Sequence, residues 1–396
     1  MFTPPHVFDQ PSPAFDIQHI DTPAFVVDLE LLRKNLERLA LVQREAGVKV
    51  LLALKGFSMF STFGLVREYL TGCCASGLNE ALLAYREFGK EVHVYAPAFK
   101  PKELQQILPI ANHISFNSLA QWRRFRPMIE EARAAGQHAP SPGIRVNPEH
   151  SEVEVSLYDP CSPGCRLGIR SDCLEGQDLS GIEGLHFHAL CEQGSDVLER
   201  VVGAVEKRFP KLIEQVDWVN MGGGHHISRS DYDLERLIRL LKTFKARWGK
   251  EQVYLEPGEA VGLNTGYLIA EVLDIVPTNP PTAILDLSAN AHMPDTMEMP
   301  YRPHIIGGGM PGEFPHEYKM GGMTCLAGDV LDGFSFPQPL QVGQRLVFAD
   351  MAHYTMVKTT TFNGVHHPDI AIYDPAKKEY RVVRRFLYED FRDKLS

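Results

Sequence analysis

Eight short apolar runs, most of them separated by stretches of helical periodicity, dominate the first two thirds of this 396-residue chain and leave few folds open to it. The runs are Val48–Leu54, Thr71–Ala75, Val92–Tyr95, His113–Phe116, Ile144–Val146, Gly184–His188, Val216–Met221 and Val253–Glu256. Helical patterns lie around Phe60–Leu70, Glu80–Phe88, Pro101–Leu108, Leu119–Ala135, Val197–Ile213 and Leu234–Trp248. Strands apolar on both faces that alternate with helices form parallel sheets covered on each side. Eight such units predict an (α/β)8, TIM-like barrel. A helix precedes the first strand. Asp28 is placed to cap it, Leu32, Leu36 and Leu39 recur at helical spacing, and Gly47 stops it.

After about Asn264 the rhythm changes. Tyr267–Ile275, Ala283–Leu287, His304–Ile306, Arg345–Phe348, Ile370–Tyr373 and Tyr380–Arg384 read as strands divided by Pro- and Gly-rich turns. We therefore expect an α/β barrel over 28–263 and a β domain, sandwich or barrel, over 264–396, with residues 1–27 completing its edge. The Pro-, Gly- and Cys-rich segment Asn147–Ser180 reads as an elaborated loop on the active face.

Composition narrows the function. Lys and Arg total 40 against 50 Asp and Glu, a formal charge of −10 that lacks the electrostatic footprint of a nucleic-acid binder and suits a cationic ligand. No apolar run approaches the length of a membrane span, and Met1–Asp21 lacks the pattern of a signal peptide. The seven cysteines, an odd number, point to reduced thiols in a cytoplasm. Cys161 and Cys165 could open a zinc site, but no close His or Cys pair completes it, so no metal is expected.

In such barrels the chemistry sits at the C-terminal ends of the strands. Lys55 ends the first strand; burying it there serves either a Schiff-base amine or a snorkelling side chain. His186 and His188 end the sixth, and we expect one to point into the barrel and the other away; an imidazole there stacks on an aromatic cofactor or is a satisfied core histidine. Gly222-Gly223-Gly224 follow the seventh and offer backbone amides to a phosphate. Adjacent His225 and His226 cannot easily chelate one ion. Glu256 ends the eighth, where a carboxylate can keep a pyridine nitrogen protonated. Gly307, Gly309 and Gly312 spell a dinucleotide fingerprint, but Pro311 and Pro315 forbid the helix it must open.

In this order Lys55, His188, the triple glycine and Glu256 resemble the alanine-racemase-fold PLP-dependent decarboxylases, which include ornithine, diaminopimelate and carboxynorspermidine decarboxylases. Ala75-Ser76-Gly77, Arg145-Val146-Asn147-Pro148, Gly322-Met323-Thr324-Cys325, and Tyr354 with Thr361-Phe362-Asn363-Gly364 extend the likeness over nearly the whole chain. Ala53–Phe57, His186–Cys191 and Glu256–Ala260 fit the carboxynorspermidine branch. Glu259 stands where ornithine-type members carry Arg, and Leu326 where they carry Asp, which argues against ornithine.

The resemblance implies roles. Lys55 holds pyridoxal 5′-phosphate, Gly222, Gly223 and Gly224 with Tyr354 hold its phosphate, His188 stacks on the ring and Glu256 keeps the ring nitrogen protonated. Cys325 reprotonates Cα and is supplied by the partner subunit, which implies a homodimer with shared sites; the alternative for Cys325 is a small buried hydrophobe. The substrate would be a polyamine with an amino-acid head, its distal amines met by Asp329 and Asp332, with Asp295 and Glu298 as looser candidates and Arg302 contacting substrate or solvent. The rivals are a diaminopimelate-type decarboxylase and an inactive regulatory homologue. Membranes and nucleic acids are not expected partners.

Overall fold

The computed structural model describes residues 10–298 and 301–396, so what was expected of residues 1–9 lies outside the described residues. The chain divides into two compact units, Arg33–Val261 and Gly262–Ser396 with the residues up to Leu32.

Strand β1 (Ala24–Asp28) leads into helix α1 (Leu29–Ala46). Asp28 Oδ1 accepts the amide hydrogens of Glu30 (2.8 Å) and Leu31 (3.1 Å), which satisfies helix donors that have no partner of their own. Gly47, at φ +63°, ends the helix. Eight parallel strands then close a barrel: β2 (Lys49–Ala53), β3 (Gly72–Ala75), β4 (Glu91–Tyr95), β5 (His113–Phe116), β6 (Ser141–Arg145), β7 (Gly184–His186), β8 (Trp218–Asn220) and β9 (Gln252–Leu255). The pairing of Lys49 with Tyr254 joins first strand to last.

The N-terminal half of the barrel is filled by aromatic groups. Leu51, Trp218 and Tyr254 pack there, and His113 meets the Trp218 ring edge-on at 4.9 Å. A Cβ on Gly143 would stand 2.6 Å from that indole and one on Gly184 1.9 Å from it, so both strands must carry glycine at this level. Trp218 Nε1–H donates to Ser141 Oγ at 2.8 Å, so the buried indole is satisfied. With this end packed, chemistry is left to the other.

The second unit is a sheet in the order β13-β12-β11-β10-β1-β15-β16, with β14 also on β10. Its further strands are β10 (Gly266–Val276), β11 (Thr282–Leu285), β12 (His316–Gly321), β13 (Val330–Phe336), β14 (Arg345–Ala349), β15 (Asp369–Asp374) and β16 (Glu379–Arg384). Ala24, Val26, Tyr267, Ile269, Ala371 and Tyr373 form its core, each pair two residues apart and so on one face.

Three expectations are corrected. The N-terminal strand is interior rather than an edge, because β1 pairs with β10 on one side and β15 on the other. His304–Ile306 forms only an isolated bridge, Ile305 to Phe348. β12 and β13, which the sequence reading missed, flank the loop that carries Cys325.

Candidate active site

Lys55 lies two residues beyond β2, which ends at Ala53. The turn is fixed by Ala53 N–H donating to Pro257 O (3.0 Å) and Gly56 N–H to Ala53 O (3.0 Å). A Cβ on Gly56 would stand 2.9 Å from the backbone of Gly258 and Glu259, so the lysine turn packs directly on the turn that follows β9. Because the strand stops short of it, Lys55 is exposed rather than buried in an apolar strand.

Glu256 is nearly enclosed. Asn220 Nδ2 donates to its Oε1 at 2.5 Å, and His186 Nε2 lies 3.3 Å from its Oε2. Burial would raise this carboxyl, but the neighbouring His186 and the Asn220 amide outweigh it and bring it down to about 2. Glu256 is therefore ionised throughout the neutral range.

His186 and His188 do not face opposite ways. Residues two apart on a strand share a face, and here His186 turns to Glu256 while His188 turns to Gly223. His188 Nδ1 accepts the Gly223 amide hydrogen at 3.0 Å, which assigns the ring proton to Nε2 in the neutral form. Burial, with Lys55 and Arg145 nearby, holds His188 well below the ordinary histidine range. The Arg145 guanidinium donates to His188 O (3.1 Å) and lies over the Tyr95 ring at 4.5 Å.

The glycine loop admits no side chain. A Cβ on Gly222, Gly223 or Gly224 would stand 2.5, 2.1 or 1.9 Å from the carbonyl oxygens of Phe187, Glu256 and Leu190 respectively. Gly222 and Gly224 have φ of +72° and +84°. Gly222 N–H donates to Asn220 Oδ1 (2.9 Å) and Gly223 N–H to His188. Two of the three amides expected to cradle a phosphate thus hold the loop itself, and only Gly224 N–H has no such partner among the described residues. His225 and His226 diverge, the first to the Tyr232 hydroxyl (2.6 Å), the second to Glu259 (3.2 Å).

In the sheet unit, Cys325 is exposed in the β12–β13 connection, its N–H donating to Asn363 Oδ1 at 2.9 Å. Asp329 is buried and frames that loop. Its Oδ2 accepts from the Thr324 hydroxyl (2.6 Å) and amide (3.3 Å), its Oδ1 from Asn290 N–H (3.1 Å). Those contacts take three of roughly four acceptor positions, so Asp329 is committed to the loop rather than open to a substrate ammonium. Asp332 is exposed, 3.6 Å from Lys319 Nζ. Asp295 accepts from Lys358 Nζ at 2.6 Å, and Glu298 shares the same ammonium. Arg302, read as a substrate or solvent contact, is buried instead, 5.1 Å over the Phe334 ring. Tyr354 is half-buried at φ +38°, a strained conformation for a bulky residue.

At the opposite end of the barrel, Glu91, His93 and His113 bring three potential metal donors within 4.8 Å of one another. Lys49 Nζ already donates to Glu91 at 2.5 Å, and the two imidazoles stack face to face at 4.2 Å. With Lys49 already on the carboxylate and the rings stacked on each other, the group forms a partly buried charge network. Of the dinucleotide-like glycines, Gly307 and Gly312 lie in turns and Gly309 bridges to Ser335, and no helix stands between Gly307 and β12.

Residues 24–352 match the family described as pyridoxal-dependent decarboxylase, C-terminal sheet domain. The chain is 46% identical over 381 residues to carboxyaminopropylagmatine decarboxylase of Synechocystis sp., covering 96% of this chain and 97% of that protein. It is 45% identical over 385 residues to carboxynorspermidine/carboxyspermidine decarboxylase of Campylobacter jejuni, covering 94% and 98%. The chain belongs to the pyridoxal-dependent decarboxylases.

The crystal structure of carboxynorspermidine decarboxylase complexed with norspermidine, from Campylobacter jejuni, superposes with this decarboxylase at a TM-score of 0.86, 44% identity and 95% and 100% coverage. Diaminopimelate decarboxylase of Helicobacter pylori, at 18% identity and TM-score 0.80, shares the fold.

The residues of the decarboxylase barrel fit the family's cofactor. They offer a primary amine, an ionised carboxylate, a neutral imidazole fixed in orientation and a glycine loop too close-packed for any side chain. Sequence reasoning missed Asn220, and quoted Arg145 only as part of a motif without assigning its contact with His188. The signal for Asn220 was its place, one residue short of the glycine loop's approach on a strand otherwise apolar.

Proposed function

We propose that this decarboxylase removes CO2 from carboxynorspermidine and carboxyspermidine to release norspermidine and spermidine in polyamine biosynthesis. The observation that carries the reading is 45% identity over almost the full length of both chains with the Campylobacter jejuni carboxynorspermidine/carboxyspermidine decarboxylase. The chain's charge of −10 agrees with a polycationic substrate.

Pyridoxal 5′-phosphate, when bound, supplies an electron sink for the pair left at Cα as CO2 departs. The chain's own residues do the rest. Lys55 provides the amine for covalent attachment. Glu256, ionised in a dry site, holds a proton at the ring nitrogen. His188 presents the face of a ring that the Gly223 amide has already oriented. Gly224 N–H, with Tyr354, serves the phosphate. Cys325 returns a proton to Cα. Asp332, Asp295 and Glu298 meet the distal amines, and the last two already hold one ammonium, that of Lys358.

The working unit in this reading is a cytoplasmic homodimer in which Cys325 of one protomer serves the barrel of its partner. Met323, Leu326 and Phe362 around the Cys325 loop are 52%, 41% and 47% exposed, an apolar surface of the kind a second copy covers.

A second substrate, carboxyaminopropylagmatine, is favoured by the 46% identity to the Synechocystis enzyme. Release of CO2 from carboxynorspermidine, carboxyspermidine, carboxyaminopropylagmatine and diaminopimelate decides between them. We expect kcat/KM highest for the first two. A preference for either of the others replaces this reading, and a cofactor-loaded chain that turns over none of them is a regulator. Borohydride reduction checks attachment: the reduced cofactor is expected on Lys55.

A further inference from the structure

We propose that Asn220 is a positioning residue that ties the carboxylate serving the ring nitrogen to the loop serving the phosphate. Asn220 ends β8, two residues from Trp218 and therefore on the same inward face. Trp218 fills the closed end of the barrel; Asn220 stands at the open end and is buried. Its Nδ2 donates to Glu256 Oε1 at 2.5 Å and its Oδ1 accepts Gly222 N–H at 2.9 Å.

The chemistry of the partners fixes which way the amide points. A backbone N–H can only donate, so the atom facing Gly222 is the oxygen. The nitrogen then faces Glu256, and an N–H donor there requires an accepting oxygen. A carboxylate accepts such a bond more strongly than a protonated carboxyl, so the arrangement favours the ionised form, the one a group facing a ring nitrogen needs. No aspartate at this position could do both, because a carboxylate has no N–H. Glu256 N–H also donates to Gly222 O at 2.8 Å, so Gly222 is held at its amide by Asn220 and at its carbonyl by the Glu256 backbone. His186 Nε2, 3.3 Å from the other carboxylate oxygen, limits rotation about the Asn220 contact. The Asn220 side chain therefore adds to this backbone bond a second tie between the two binding groups, one that reaches the carboxylate itself.

The inference rests on the reading of this end of the barrel as a pyridoxal-phosphate site, and a donor–acceptor swap tests it. Full-length apo-protein is titrated with pyridoxal 5′-phosphate, following its absorbance, for wild type, Asn220→Asp, Glu256→Gln and the double variant; apo melting temperatures and kcat are measured alongside. Asn220→Asp sets two carboxylates against each other and is expected to weaken cofactor binding about tenfold or more, the scale of one buried polar group left unmatched. Adding Glu256→Gln restores a donor and an acceptor with their places exchanged. Affinity should return to within about threefold of wild type, while kcat stays as low as in Glu256→Gln alone. A double variant that binds no better than Asn220→Asp overturns the proposal. So does an equal loss of apo stability in both, which would make Asn220 merely structural. If wild type itself binds no pyridoxal 5′-phosphate, the reading of the site falls first; if it binds and the swap fails, only the role of Asn220 falls.

Discussion

His188 Nδ1 accepts the amide hydrogen of Gly223 at 3.0 Å, so the ring read as the stacking residue and the loop read as the phosphate cradle are one hydrogen-bonded piece. Stacking alone would make His188 replaceable by any flat ring. The hydrogen bond does not, because it needs an acceptor at Nδ1.

His188→Phe separates the two contributions. It keeps a ring face and leaves the Gly223 amide without its acceptor. We expect the dissociation constant for pyridoxal 5′-phosphate to rise about 5- to 100-fold, the range for leaving one buried backbone donor unmatched. Unchanged affinity in an absorbance titration would mean that stacking is the whole of its role.

Glu256→Gln should keep the cofactor bound and lower kcat by two or more powers of ten, each corresponding to about 1.4 kcal/mol of barrier. A neutral amide cannot hold the ring nitrogen protonated. The same variant carries a pH signature. The carboxyl lies at about 2 in the folded chain, against roughly 4.3 for an unfolded glutamate. A depressed pKa contributes stability above the unfolded value, and that stability is lost as pH falls through the folded one. Wild-type apo-protein should therefore lose part of its stability between about pH 4.3 and 2, and Glu256→Gln should lack that part. Superimposable acid-unfolding curves would contradict an ionised Glu256.

The barrel was legible because its strands are apolar on both faces and its helices keep one stripe. Where the reading failed, a distant contact decided the residue. β6 starts at Ser141-Pro142-Gly143, which reads as a turn until Trp218 is seen filling the space a side chain on Gly143 would occupy. β13 is interrupted by Gly333 at φ +87°, which breaks the alternation that marks a strand. The site splits the same way. Lys55, Glu256 and the glycines announce themselves by position at strand ends. Asn220 gains its meaning only from Glu256 and Gly222 together, and Asp329 lies near Cys325 in sequence without its carboxylate being free.

Asp329→Asn follows from that last point. An ammonium-binding carboxylate would, on neutralisation, raise KM with little effect on kcat. The structure instead has Asp329 holding Thr324 and Asn290 around the Cys325 loop. We expect kcat to fall about tenfold or more with KM changed less than threefold, and Cys325 to be alkylated faster by iodoacetamide, on the scale of one broken buried hydrogen-bond set. A rise in KM alone would return Asp329 to the substrate.

The shared-site dimer is tested by mixing inactive chains. Lys55→Ala removes the amine and Cys325→Ala the thiol, and each homodimer should be nearly dead. If the two groups of one site come from different protomers, a mixed dimer places both lesions in one site and neither in the other. Random reassortment of equal amounts makes about half the dimers mixed, so about a quarter of all sites should be restored. A chain whose Cys325 serves its own barrel gains nothing from mixing, because every site keeps one lesion. The subunits must be shown to exchange, by differently tagged chains co-purifying after incubation. Cys325→Ala must also be severely impaired by itself, since a tolerant variant would mask recovery. With both conditions met, recovery near one quarter establishes that Cys325 acts across the interface, and zero recovery assigns it to the barrel of its own chain.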